Sequence, residues 1–208
     1  MNPRTTQRVL WGVLAIGLIA IGSLSLAKWL TKITQDKPLE DFGAVPPFEL
    51  TDQHGKPATL ANFAGHIWLA DLIFTHCESV CPMMTQKMFE LQQATADQPD
   101  VLIASFSVDP THDSPDTLAA YAAVHHADER RWTFLTGPVS TIYTVIKSGF
   151  HLPLDSVGGD QTTPILHSPR FVLVDARGHI RKYYNGLEDE SKKHILHDIA
   201  ALKKETIQ

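Results

Sequence analysis

The chain is 208 residues long, with 18 basic and 23 acidic side chains and a net charge of −5. A 43% hydrophobic and 20% charged content excludes a disordered chain. Two cysteines exclude a disulfide-dense mini-protein, and the acidic balance argues against a nucleic-acid binder.

The charge is unevenly placed. Residues 1–35 carry Arg4, Arg8, Lys28 and Lys32 and no acid, leaving 14 basic against 23 acidic groups in the rest, a net of −9. Such a body draws cations by its long-range field, although solubility alone explains the same balance. Residues 9–27 contain no charged side chain. Nineteen helical residues at roughly 1.5 Å each approach the ~30 Å hydrocarbon thickness of a bilayer. Trp11 and Trp29 stand near the two ends, where indole rings favour the interface. The expected organisation is a tail at 1–8, a single transmembrane helix at 9–30, a tether at 31–47 and a globular domain at 48–208.

The competing reading of the head is a cleaved signal peptide, with Ser25-Leu26-Ala27 as the cleavage site. The apolar run is longer than the usual signal core, which favours an uncleaved anchor. Both readings send the body out of the cytosol. Basic residues flank the run evenly, so orientation rests on the default of a short tail and a long translocated domain. Eight residues before the run are too few for a mitochondrial transit peptide. The expected location is therefore a bacterial inner membrane, with the domain on the periplasmic side.

The body alternates strands and helices. Residues 48–60 hold a turn, Asp52-Gln53-His54-Gly55, between two short extended runs, which predicts a hairpin. Residues 67–74 are apolar throughout except for Asp71, as in a buried central strand. Residues 82–96 show helical spacing through Met84, Met88 and Leu91, with Pro82 suited to a first turn. Residues 101–108 predict a second buried strand. Ser114-Pro115-Asp116-Thr117 is a helix start with a Ser cap, running to about His126. A short strand at 132–135 and a helix at 139–148 follow. Residues 149–166 are rich in Pro and Gly and predict a long loop, a frequent home of function. Residues 170–174 and 179–184 predict a hairpin around Asp175-Ala176-Arg177-Gly178, and 189–204 a closing helix. The order predicts an α/β fold with a layered sheet.

The informative segment is Phe74-Thr75-His76-Cys77-Glu78-Ser79-Val80-Cys81-Pro82. It lies at the carboxyl end of a predicted central strand, where sites form on α/β sheets. Four residues is one helical turn, so the sulfurs of Cys77 and Cys81 can meet. A helix N-terminus there is expected to lower a thiol pKa. Two adjacent thiolates suit disulfide exchange and equally suit a soft ion such as Cu(I). A structural disulfide is the plainer alternative, but so short a loop gains little entropic stability.

A bound metal needs a third ligand, and His167, where the long loop meets the next strand, leads the candidates. Two sulfurs and one imidazole suit copper better than zinc, which wants four ligands. His76 adjoins Cys77 but is expected to point elsewhere. His125, His126, His194 and His197 read as solvated. Met84 fits the helix's core stripe, and Met83 is a weaker candidate for a thioether ligand. Asp71, six residues before Cys77, reads as a buried proton relay for a thiol or as a structural carboxylate bonded to nearby backbone.

Taken together, these residues resemble the SCO/SenC family of copper-binding assembly proteins. The matching pieces are Leu69-Ala70-Asp71-Leu72-Ile73-Phe74-Thr75-His76-Cys77-Glu78-Ser79-Val80-Cys81-Pro82, Ser107-Val108-Asp109-Pro110-Thr111-His112-Asp113-Ser114-Pro115, Phe134-Leu135-Thr136-Gly137, and His167-Ser168-Pro169-Arg170-Phe171-Val172-Leu173-Val174-Asp175 leading to Gly178. Pro169 at the strand entrance departs from the pattern. The resemblance implies a thioredoxin-like fold and one copper ion per chain, held by Cys77, Cys81 and His167. It implies a partner too: the cytochrome c oxidase subunit carrying the CuA centre, or another copper or thiol protein. The role it implies is metallochaperone, thiol reductase of the oxidase cysteines, or both.

Two other readings compete. An envelope thiol–disulfide oxidoreductase would use Cys77 and Cys81 as a redox pair without His167. A peroxidase on the same fold would need Pro-x3-Thr-x2-Cys; here Thr75 stands two before Cys77, so that pattern is missing.

Overall fold

The computed structural model describes residues 38–77, 80–153 and 169–206, with scattered positions between Trp11 and Leu26. The chain divides into two units, Met1–Pro38 and Leu39–Gln208. In the first, Trp11, Ile16, Ile19, Ile21 and Leu26 are helical and exposed. Among the described residues no helix is long and apolar enough to cross a membrane. Most of the expected anchor at 9–30, the tail at 1–8 and residues 31–37 of the tether lie outside the described residues.

The second unit is built on strands β1 (Glu49–Asp52), β2 (Pro57–Thr59), β3 (Ile67–Ile73), β4 (Val101–Ser107), β5 (Trp132–Thr136), β6 (Arg170–Val174) and β7 (Ile180–Asn185). These lie in one sheet in the order β2-β1-β5-β4-β3-β6-β7. β3, β4 and β5 run parallel, and the neighbours on both flanks are antiparallel. Helices are α1 (Val80–Ala94), α2 (Pro115–Val124), α3 (Val139–Thr144) and α4 (Ser191–Thr206). A π-helical turn, Val145–Gly149, continues α3.

β3 explains why its sequence reads as an unbroken apolar run. All seven of its residues are buried, because each face of the strand meets its own core. Trp68, Ala70 and Leu72 face Phe48, Phe106 and Phe150. Leu69 and Ile73 face Met84, Met88 and Leu91 of α1, with Trp132 and Phe134 of β5. Strand alternation puts Asp71 on this second face, under α1. The predicted alternation of elements is observed. α1 begins at Val80, two residues ahead of Pro82, so Cys81 lies within its first turn. α2 starts as expected, with the Ser114 side chain accepting from the Thr117 amide and Pro115 in the first turn.

The expected tether differs. Residues 39–47 belong to the domain. Phe42 N–H donates to Ile180 O at 2.9 Å, Val45 N–H donates to Gly178 O at 2.9 Å, and the Ala44 backbone bridges His179. Phe42 packs edge-on against Tyr183 and Val45 is buried. The polar composition concealed this, because the pairing is with the distant turn between β6 and β7.

Arg181 rivets this region. Its buried guanidinium pairs with Asp175 at 3.1 Å and Glu205 at 2.9 Å, and donates to Leu39 O at 2.7 Å and Glu40 O at 2.9 Å. Breaking a buried pair leaves a charge without its partner. Arg181→Met should therefore cost about 3 kcal/mol in urea unfolding. A loss below about 1 kcal/mol would show that the remaining ties suffice.

Candidate metal centre

The chain leaves the buried environment of β3 at Phe74 and turns at once. Cys77 N–H donates to Phe74 O at 3.2 Å, and Cys81 N–H then donates to Cys77 Sγ at 3.4 Å. That last contact places one sulfur against the backbone of the other cysteine. Cys77 is half-buried and Cys81 fully buried, and both are thiols in this structure.

The two thiols are unequal. Burial pushes the Cys81 thiol well above its ordinary range, and the adjacent Cys77 sulfur pushes it further. The helix N-terminus was expected to lower a thiol pKa here. At Cys81 desolvation outweighs it, because the side chain has no water with which to stabilise a thiolate. For the sulfur to act, a soft metal ion must displace that proton or a nearby base must take it.

Asp71 sits beneath this pair. Ser105 Oγ donates to Asp71 Oδ1 at 2.6 Å, and Trp132 Nε1 donates to the same Ser105 oxygen at 2.9 Å. Asp71 Oδ2 is buried with no hydrogen-bond partner among the described residues. Desolvation raises its pKa from the ordinary 3.8 to about 7. A charge on Asp71 raises both the Cys81 thiol and the Tyr121 hydroxyl, so its field reaches the site. Tyr121 Oη meets Thr85 Oγ1 of α1 at 2.8 Å and borders the same layer.

The loop carrying Cys77 is held from the side by a carboxylate that sequence reasoning treated only as part of a motif. Buried Asp113 accepts from Thr75 Oγ1 at 2.6 Å, from Thr75 N–H at 3.3 Å and from Ser107 Oγ at 2.6 Å. Its partners stand 38 and 6 residues away. The available signal was an acidic residue just ahead of a Ser-Pro helix start, which by itself reads as a turn.

The remaining candidates are placed as follows. Met84 is buried in the α1 core, as expected, whereas Met83 is 53% exposed. His76, His126, His194 and His197 are exposed, and His125 is half-buried at the end of α2. His167 and most of the expected loop at 149–166 lie outside the described residues. Among the described residues no group of three or more His, Cys, Asp or Glu is gathered to hold a metal. The two cysteines, held one turn apart with soft sulfur donors, fit a copper ion.

Comparison with known proteins gives a consistent picture. The family model described as SCO1/SenC matches residues 36–204. The SCO1 protein homolog of Bacillus subtilis is 38% identical over 157 residues, covering 74% of this chain and 80% of that protein. The structure of BsSco, a member of the Sco family of cytochrome c oxidase assembly proteins in which a disulfide switch was identified, is similar with a TM-score of 0.70 and 36% identity. It covers 80% of this chain and 98% of its own. Bradyrhizobium japonicum ScoI, solved with copper bound, is similar with a TM-score of 0.61 and 25% identity, covering 77% of this chain and 99% of its own. The mixed sheet is the thioredoxin-like one that the sequence resemblance implied.

The raised Asp71 pKa predicts a pH dependence. Between about 4 and about 7 the folded carboxyl keeps a proton that the unfolded one has lost. Its contribution to stability therefore falls as pH rises through that window and levels off above it. Asp71→Asn removes the titration. Urea unfolding should show the variant gaining on the wild type from pH 4 to pH 7, by about 1.4 kcal/mol per pH unit at most. A constant difference across that window would contradict the assignment.

Proposed function

The chain belongs to the SCO1/SenC family, and from that premise we propose that it is a copper carrier serving assembly of the CuA centre of cytochrome c oxidase. The observation that carries the reading is the contact of Cys81 N–H with Cys77 Sγ at 3.4 Å, which holds two soft donors on one turn. A relative solved with copper bound and one from a cytochrome c oxidase assembly family support it.

In this reading Cys77, Cys81 and His167 hold one copper ion per chain. Cys77, nearer solvent, meets the ion first. The ion then displaces the proton from buried Cys81, and Asp71 is the candidate acceptor. His167 stands two residues before Pro169. The Pro169 carbonyl accepts from Gly186 N–H at 2.7 Å, and Gly186 lies against Met84 of α1. The chain that carries the imidazole thus rejoins the domain beside the helix that carries Cys81. Loss of the imidazole weakens the site and lets the ion pass to a partner's thiolates by ligand exchange. The expected anchor at 9–30 places this chemistry at the periplasmic face of an inner membrane, beside the oxidase.

The unequal burial of the two thiols favours a second reading, a thiol–disulfide oxidoreductase. Cys77 thiolate attacks a partner disulfide, and one partner sulfur leaves as a thiolate. Cys81 then attacks the mixed disulfide and gives its proton to Asp71. This chain is left with a Cys77–Cys81 disulfide and the partner with two reduced cysteines. The disulfide switch of BsSco accords with this use of the pair.

A titration separates the two readings. The reduced chain should take up one equivalent of Cu(I) tightly under argon. Cys77→Ala and Cys81→Ala should each abolish it. His167→Ala should weaken it by at least the roughly tenfold typical of groups that only support a ligand. Tight Cu(I) unchanged in the cysteine variants would sink the carrier reading. No tight copper in the wild type, with a reversible disulfide, would leave the oxidoreductase.

A further inference from the structure

Beside Cys77 stand two imidazoles to which the reading above gives no task. We propose that His76 and His112 form a separate two-imidazole site for a Cu(II) ion, supported from behind by Asp109. The observation is the juxtaposition of the two rings on two loops that are themselves locked together. Their centroids are 6.1 Å apart and their planes inclined by 72°. An ion bonded at about 2.0 Å to one nitrogen of each ring sits roughly 3 Å from each ring centre. Rings at this separation can share such an ion when both Nε2 atoms turn towards the space between them.

The hydrogen bonds set both rings in the same tautomer. Thr75 Oγ1 spends its one hydrogen on Asp113 Oδ1 at 2.6 Å. At 3.2 Å from that oxygen, His76 Nδ1 must then be the donor, which leaves Nε2 as a bare ligand. His112 Nδ1 meets Asp109 Oδ2 at 2.8 Å, and a carboxylate only accepts, so in the neutral ring Nε2 is bare there too. A carboxylate behind a ligating imidazole is the usual device for fixing its tautomer and aim.

Asp109 supplies an independent observation. It is 7% exposed, and its second oxygen, Oδ1, is buried with no hydrogen-bond partner among the described residues. That negative charge favours a cation on the imidazole it holds, a metal ion or, without one, a proton. The loops are also fixed relative to each other. Asp113 ties Thr75 to Ser107, and Ser107 Oγ accepts from the Asp109 amide at 3.1 Å. His76 and His112 are both exposed, with the His112 side chain at 43%, so an ion from solvent reaches them. Two nitrogens leave open positions for water or for a partner's ligand. Among divalent first-row ions, imidazole binds Cu(II) best. An edge-to-face ring contact that merely packs the two loops would bind no ion.

The site does not depend on the thiolate reading, so it is tested without thiols. The full chain carrying Cys77→Ser and Cys81→Ser is titrated with Cu(II) and followed by electron paramagnetic resonance. One equivalent with a two-nitrogen pattern is expected. His76→Gln or His112→Gln, added to that background, should each weaken it at least tenfold, and Asp109→Asn by roughly tenfold. His167→Gln should leave it unchanged. Equal affinity after His112→Gln would overturn the site, as would loss on His167→Gln alone. His112 is a surface side chain, so its variant tests the site even if Asp109→Asn unsettles the loop.

Discussion

Asp113 is a buried carboxylate with three donors, and the geometry of the cysteine loop depends on it. The strand pairing of β3 with β4 ends at Ile73, and the Thr75 amide and hydroxyl that follow go to Asp113. The third donor comes from Ser107, the last residue of β4. One side chain thus joins the ends of two neighbouring parallel strands just where both open into loops. Cys77, His76 and His112 all hang from this joint. A buried carboxylate left without these donors would carry an uncompensated charge, so the joint closes as a unit or not at all.

From that joint the site acquires its asymmetry. The turn at Phe74 leaves Cys77 half in solvent, while the first turn of α1 carries Cys81 into the core beside Met84. Two identical side chains one turn apart therefore differ in their access to water. Burial is the larger effect at Cys81, and the favourable field of the helix terminus is the smaller. Asp71 belongs to the same economy of water. It is a carboxyl placed where ionisation is costly, with one oxygen bonded to Ser105 and the other without a hydrogen-bond partner among the described residues. A carboxyl that titrates near neutrality is suited to exchanging a proton with the layer above it.

Much of the fold was legible because its signals are local. The unbroken run of β3, the Ser114 cap of α2 and the turn before Gly178 each follow from a few adjacent residues. The cysteine pair was legible for the same reason, since a four-residue spacing at a strand-to-helix junction needs no knowledge of the rest. What the sequence hid is non-local. Asp113 acts on a residue 38 positions earlier, and residues 41–45 pair with a turn more than 130 positions later. Cys81 was misjudged because burial is a property of the folded core, whereas the helix terminus shows in the sequence itself. Asp71 was visible as the odd residue of its strand, but its bond to Ser105 required the register between β3 and β4.

The central claim is that Cys77 and Cys81 together grip the copper ion. X-ray absorption at the copper edge of the loaded, reduced chain tests it most directly. Two sulfur neighbours with one imidazole nitrogen are predicted, and the sulfur signal should vanish when the pair is oxidised to a disulfide. A shell of nitrogen and oxygen alone in the reduced chain would contradict the account.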